Sequence, residues 1–343
     1  MPERIPDSPP EIRPVPESVN RPPWSVMIPA YNCIRYLGET IDSVLQQDPG
    51  PDLMQVEVID DCSTDGDVAA LVLEKGNGRV GYFRQSENVG SLRNFETCIN
   101  RANGHYIHIL HGDDLVMPGY YNSIGTLFSR FPEIGAAISG YSYINHLGKL
   151  SGKGPTIQQQ EGIIENWLVR VASAHGLQPP AIVIKRMVYE QLGRYYAVHY
   201  GEDWEMWVRI AKYFPVAYTP TILAAYRVHP GNISSNFFKS GQSLADIQKV
   251  LTIIEPMIPD QDRQEVMRAA RHHFSRYFTG EAAAQFWKDR KSFLQLSYKI
   301  YQFDPNFNTD IAFCKLYIRN IYAWFKDSIK QLLNRQTNHE TGQ

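Results

Sequence analysis

Apolar and polar positions alternate with two periods along the first third of the chain. WSVMIPAYN (24–32) is an apolar run halted by Pro29 and Asn32, the pattern of a buried strand. Residues 35–47 then carry Tyr36, Leu37, Ile41, Val44 and Leu45 at helical spacing. MQVEVIDDCSTDG (54–66) reads as a second strand that ends in Asp60 and Asp61 and opens into the turn and capping residues Ser63, Thr64 and Asp65. A short helix over 68–75, a strand over 79–85 and a helix over 91–104 closed by Gly104 follow. The next strand, HYIHIL (105–110), runs straight into His111, Gly112, Asp113 and Asp114.

Alternating strands and helices predict an α/β fold, a mostly parallel sheet with helices on both faces. In such sheets ligands bind outside the carboxyl ends of the strands. Polar clusters stand at three of those ends: Tyr31 with Asn32, Asp60 with Asp61, and His111 with Asp113 and Asp114. Their convergence predicts one site built from three loops. Farther on the pattern is mixed. Residues 134–144 and 181–186 read as strands, 202–214 as an aromatic-rich helix, and 216–230 as extended chain broken by Pro220. From about residue 240 the text is helical, ending in the basic, aromatic-rich segment 311–335.

Composition narrows the function classes. The 343 residues carry a formal net charge of −2, too little positive field for nucleic acid to be the main partner. The four cysteines, Cys33, Cys62, Cys98 and Cys314, are scattered, which fits reduced thiols in a cytoplasmic compartment. Residues 1–23 are Pro-rich and charged, so they read as a disordered leader rather than a signal peptide. No apolar run reaches the ~18 residues that a membrane span requires.

Chemistry concentrates in the carboxylates. Adjacent Asp113 and Asp114 repel one another, and burying either needs a positive partner. Asp114 can be a helix N-cap for PGYYNSIGTLF, but that explains only one of the two. A divalent cation bridging to a phosphate explains the pair. Asp60 and Asp61 fit either an ordinary turn or the rim of the same pocket, where a carboxylate can accept from a base N–H or a ribose hydroxyl. NVGSLRN (88–94) sets Asn88 and Gly90, which permits close backbone approach, beside Arg93 and Asn94 at a helix start, a place for an anionic or polar ligand. Glu202 and Asp203 open the aromatic helix and read either as dipole-favoured end residues or as carboxylates poised beside Trp204 and Trp207.

In order, VMIPAYN, VIDDCSTDG, ENVGSLRN, GHYIHILHGDD, GEDWEMWVRIA and YRVHPGNIS resemble glycosyltransferase family 2 over roughly residues 24–235. The resemblance implies a GT-A fold and an inverting, nucleotide-sugar-dependent hexosyltransferase-type enzyme. Pro29, Ala30 and Tyr31 match its base-facing loop, and Asp61 the aspartate that contacts the base. Its DxD motif falls on His111, Gly112 and Asp113, which gives Asp113 the metal-binding place, with Mn²⁺ or Mg²⁺ as cofactor. His111 departs from the usual aspartate, leaving Asp114 as an auxiliary. Asp203 matches the general base and Trp204 the residue beside it, placed among the nucleotide-sugar-binding residues, while His229 matches a histidine that ligates the metal in some relatives.

The expected organisation is a leader (1–23), a GT-A domain (24–238) and a helical C-terminal extension (239–343). The expected donor is a UDP-sugar and the expected acceptor a carbohydrate or lipid-linked glycan in bacterial surface polysaccharide synthesis. Two other readings are a non-catalytic sugar- or nucleotide-binding module and a sugar-nucleotide nucleotidyltransferase. The latter expects a Gly-rich phosphate loop where this chain has PAYNCIRYLG. In 311–335, Lys315, Arg319, Lys326 and Lys330 fall on one helical stripe, so weak peripheral association with the inner face of a membrane is a further expectation.

Overall fold

Strand β1 (Trp24–Ala30) is buried at every position because it has a neighbour on each edge and helices over both faces. It runs parallel to β2 (Met54–Asp60) and to β4 (Tyr106–Ile109), and β2 runs parallel to β3 (Gly81–Arg84). Helices α1 (Ile34–Leu45), α2 (Val68–Gly76) and α3 (Ser91–Arg101) make the crossovers. In this computed structural model the described residues are 4–232, 242–285, 290–305 and 314, 315, 318, 319, 321, 322 and 326.

Register aligns the strand exits. Ala30 pairs with Asp60 and Met27 with Ile109. The ladder continues beyond the strands: Asp61 N donates to Ala30 O at 2.8 Å and Gly112 N to Pro29 O at 3.1 Å. Three loops therefore leave the sheet at one level. Asp65 ties two of them by accepting the N–H of Ile34, the first residue of α1, at 3.0 Å.

The sheet becomes mixed on its other side. The strands β5 (Leu115–Val116), β6 (Ala136–Asn145), β7 (Leu150–Lys153), β8 (Gly162–Ile163), β9 (Ile182–Lys185) and β10 (Val216–Val228) complete the order β3-β2-β1-β4-β9-β6-β10-β5, with β7 on β6 and β8 on β10. Only β6 and β10 are parallel there, and β9 runs antiparallel to both β4 and β6. Pro220 does not end β10, because the pairing with β6 shifts between Thr219 and Ile222 and the proline sits in that irregularity. Helices α4 (Tyr120–Arg130), α5 (Trp167–Ser173), α6 (Arg186–Leu192) and α7 (Glu202–Tyr213) fill the links.

Beyond this lie α8 (Gln242–Ile254), α9 (Asp260–Gln285) and α10 (Arg290–Phe303). Helix α8 fits against the start of α7, where Gly201 has φ +88° and a Cβ would come 2.9 Å from Ile247. Helix α9 packs on α5 and brings Phe274 within 4.8 Å of the Trp204 ring, centroid to centroid. No helix among the described residues is long and apolar enough to cross a membrane. Apart from a few positions, the 311–335 segment lies outside the described residues.

The leader corrects an expectation. Residues 4–23 are packed along the domain rather than disordered, with Ile12 only 4% exposed. Ala197 N donates to Pro6 O at 2.8 Å, and the Arg194 and Arg186 guanidiniums donate to Glu11 O at 2.8 Å and to Arg13 O at 3.0 Å. Composition misled because the segment has no core of its own. Proline presets an extended backbone, so ordering it costs little entropy, and its carbonyls serve buried donors.

Candidate active site

The β4 exit is cramped. A Cβ on Gly112 would lie 2.8 Å from Cys33 Sγ and 3.2 Å from Pro29 O, so glycine lets this loop cross the end of β1. The turn places ligand atoms of His111, Asp113 and Asp114 within 4.8 Å of one another. His111 stacks on Phe95 with ring centroids 5.2 Å apart and planes 9° from parallel. Burial holds its imidazole below the usual histidine range, against the opposing pull of Asp113 and Asp203. The neutral ring is the form that ligates a metal.

Asp113 and Asp114 have separate jobs. Asp113 points its Oδ2 at His229 Nε2, 2.9 Å away. Asp114 is fully buried, and burial together with the charge of Asp113 pushes its carboxyl well above the ordinary range. It is not a helix cap: α4 starts at Gly119 with no side-chain cap, while Asp114 Oδ1 accepts the N–H of Arg227 at 2.8 Å. Asp114 Oδ2 is buried with no hydrogen-bond partner.

Arg227 braces the acidic loop, its backbone N–H serving Asp114 and its side chain the Asp113 carbonyl. This fully buried residue donates through Nε to Asp113 O at 2.7 Å and pairs with Glu39 at 2.7 Å. Its guanidinium lies 4.7 Å from the centre of the Tyr36 ring, against which His229 also packs. Sequence reasoning passed over Arg227 inside YRVH. The signal was available: an arginine stood next but one to the candidate ligand His229.

The β2 exit carries two more carboxylates. Asp60 is used internally, accepting from Ser63 N at 2.8 Å, from Tyr82 OH at 2.8 Å and from Arg84. Asp61 accepts from Asn88 Nδ2 at 2.8 Å, Val89 N at 2.8 Å and Gly90 N at 2.9 Å. These three bonds fix the 88–90 loop, with Gly90 at φ +90°. Arg4, from the leader, donates to Asn88 O at 2.7 Å and Oδ1 at 2.6 Å. Pro29 and Ala30 are buried strand residues, whereas Tyr31 is 47% exposed at the loop mouth. Arg93 turns along its own helix to Glu96 at 2.7 Å.

The start of α7 forms the second side. Asp203 Oδ1 accepts the N–H of Trp204 at 2.6 Å, and Oδ2 faces His175 Nε2 at 3.5 Å. Burial, then the charge of Asp203, raises the Glu202 carboxyl well above its usual range. Trp204 itself is completely buried, its indole N–H donating to Val171 O at 2.7 Å. It locks α5 to α7 and cannot face a sugar, which corrects its placement among the ligand-binding residues. The structure thus brings His111, Asp113, Asp114 and His229 together, with Asp203 near enough to act on the His111 charge.

A family model described as glycosyl transferase family 2 matches residues 25–193. The chain therefore carries a glycosyltransferase family 2 domain over those residues. An uncharacterized protein of Mycobacterium tuberculosis is 26% identical over 273 residues, which is 72% of this chain and 81% of that protein. The putative teichuronic acid biosynthesis glycosyltransferase TuaG of Bacillus subtilis is 35% identical over 95 residues, covering 27% of this chain and 37% of TuaG. Among solved structures, S. aureus TarS (1–349) in complex with UDP-GlcNAc superposes with TM-score 0.63 at 14% identity, over 84% of this chain and 83% of that one. Mannosyltransferase PcManGT of Pyrobaculum calidifontis, in complex with GDP-Man and Mn²⁺, gives 0.54 at 17% identity, over 91% and 90%. This glycosyltransferase therefore has the GT-A fold, carried by a mixed sheet of ten strands among the described residues.

Proposed function

We propose that this glycosyltransferase transfers a sugar, with inversion, from a nucleoside-diphosphate donor to a hydroxyl of a surface polysaccharide or its lipid-linked precursor. The observation that carries the reading is the grouping of His111, Asp113 and Asp114 at one loop, with Asp203 acting on the same imidazole from α7. Hard carboxylate oxygens, a neutral imidazole and the partnerless Asp114 Oδ2 suit Mn²⁺ or Mg²⁺. Asp113 would hold the ion with His111 and His229. When bound, it supplies charge neutralisation for the departing diphosphate.

The chain's own residues do the rest. The loops from Pro29 to Tyr31 and from Asn88 to Gly90 form the nucleotide side, with Asp61 holding the second of them. Asp203 accepts the proton of the acceptor hydroxyl as that oxygen attacks the anomeric carbon from the face opposite the leaving group. The 24–238 unit is the catalytic one, and the helices after it complete its acceptor side. The relatives named for teichuronic and teichoic acid biosynthesis support a polyhydroxylated cell-surface acceptor.

A panel of UDP-, GDP- and TDP-sugars, each with Mn²⁺, Mg²⁺ or chelator, tests this by thermal shift and by transfer to polysaccharide acceptors. A true donor stabilises the folded chain by mass action, and does so only with the metal. Stabilisation by none of them overturns the reading.

A further inference from the structure

Residues 174–178 carry no motif, yet they deliver His175 to the carboxylate that is read above as the base. We propose that His175 positions Asp203 for the transfer reaction and that helix α9, outside the family-matched residues, holds His175 in place; this rests on the functional reading of Asp203.

The geometry is specific. Asp203 has one oxygen tied to its neighbour's backbone, Oδ1 to Trp204 N at 2.6 Å. The other, Oδ2, faces His175 Nε2 at 3.5 Å, with the two side chains 21% and 22% exposed. A carboxylate anchored at one oxygen can still rotate about its last bond, and the imidazole stands where it limits that rotation. The 3.5 Å spacing is a close charge contact rather than a formed hydrogen bond, and catalytic contacts often tighten only when substrate arrives.

His175 is itself braced from two helices. Its ring stacks on Trp207 of α7 at 5.3 Å and 22°, and lies 6.4 Å from Phe274 of α9. Burial lowers the His273 imidazole of α9 to about 4, against the opposing pull of the His175 backbone. Phe274 also packs on Trp204, the residue that anchors Asp203 Oδ1. Helix α9 therefore braces both contacts of the base. In the reaction the proton passes from the acceptor hydroxyl to Asp203. His175 keeps its N–H throughout and fixes which oxygen faces the acceptor.

The test uses the full chain and a donor from the panel above. His175→Ala should lower kcat by roughly tenfold to a hundredfold, the scale of losing one orienting contact, with donor affinity unchanged. His175→Gln, which keeps an N–H donor, should recover most of that loss. In an Asp203→Asn background His175→Ala should cost nothing further, because residues acting through one group are not additive. Full additivity with Asp203→Asn, or failure of glutamine to rescue, overturns the proposal. A wild-type chain that transfers normally while His175→Ala has no effect overturns it alone. A wild-type chain that binds no nucleotide sugar overturns the functional reading, and this inference with it.

Discussion

His229 Nε2 lies 2.9 Å from Asp113 Oδ2 although 116 positions separate them. The contact exists because β10 returns beside β6 and ends above the β4 exit, with Arg227 clamping Asp113 O and Asp114 Oδ1 on the way. Asp113→Ala should abolish transfer and metal-supported donor binding while the fold survives. His229→Ala should weaken metal-supported binding by at least about tenfold, because it removes one of the groups that would hold the ion. Isothermal titration of the nucleotide sugar with and without Mn²⁺ checks both. Unchanged affinity in both variants would exclude this loop as the cation site.

Asp203→Asn is nearly isosteric and keeps the Trp204 N–H contact. Turnover should fall by roughly 10²–10⁴-fold with donor affinity preserved. Steady-state kinetics beside equilibrium binding separates these two quantities.

Gly112→Ala tests the crossing of the strand exits. The new Cβ meets Cys33 Sγ at 2.8 Å and Pro29 O at 3.2 Å, and the latter is backbone that cannot yield. A loss of about 1–3 kcal/mol in unfolding free energy is expected, with weaker metal binding as the loop shifts. Denaturant titration at constant slope would establish it.

Acid sensitivity has an identifiable source in His108. Buried against Tyr121 OH at 3.2 Å and Pro180 O at 3.1 Å, it is pushed down to about 3 by burial. Between that value and the ordinary 6.5 the unfolded chain holds a proton that the folded chain does not. Stability therefore falls as pH drops through this window, by at most about 1.4 kcal/mol per unit. Asp114 and Glu202, raised in the folded state, act in the opposite sense. The decisive quantity is thus the difference between wild type and His108→Gln. The variant should lose less stability than wild type between pH 7 and pH 5, as melting temperatures will report.

Much of the fold was legible because strand and helix periods are local. The runs at 24–30 and 54–60 became β1 and β2, and Asp113 stood out because a carboxylate pair after a buried strand needs explaining. What escaped depends on chain return. His175 lies in a loop with no period, and its meeting with Asp203 is set by how α5 packs on α7. Trp204 looked like part of the nucleotide-sugar site because an aromatic beside an acid reads the same whether its ring faces a pocket or a core. Asp61 showed its charge in the sequence but not the three N–H groups that occupy it.

The packed leader has a practical consequence for dissecting this enzyme. A fragment designed on family similarity would begin at residue 25 and so discard Ile12 and the carbonyls that receive Ala197, Arg186 and Arg194. Exposing one buried isoleucine site costs about 1.5–3 kcal/mol, and each stranded buried donor about 1–3 more. Arg4 would go as well, freeing the Asn88 side of the 88–90 loop. The boundary of resemblance and the boundary of an autonomous folding unit fall at different residues, and poor solubility of such a fragment would say nothing against the enzyme itself.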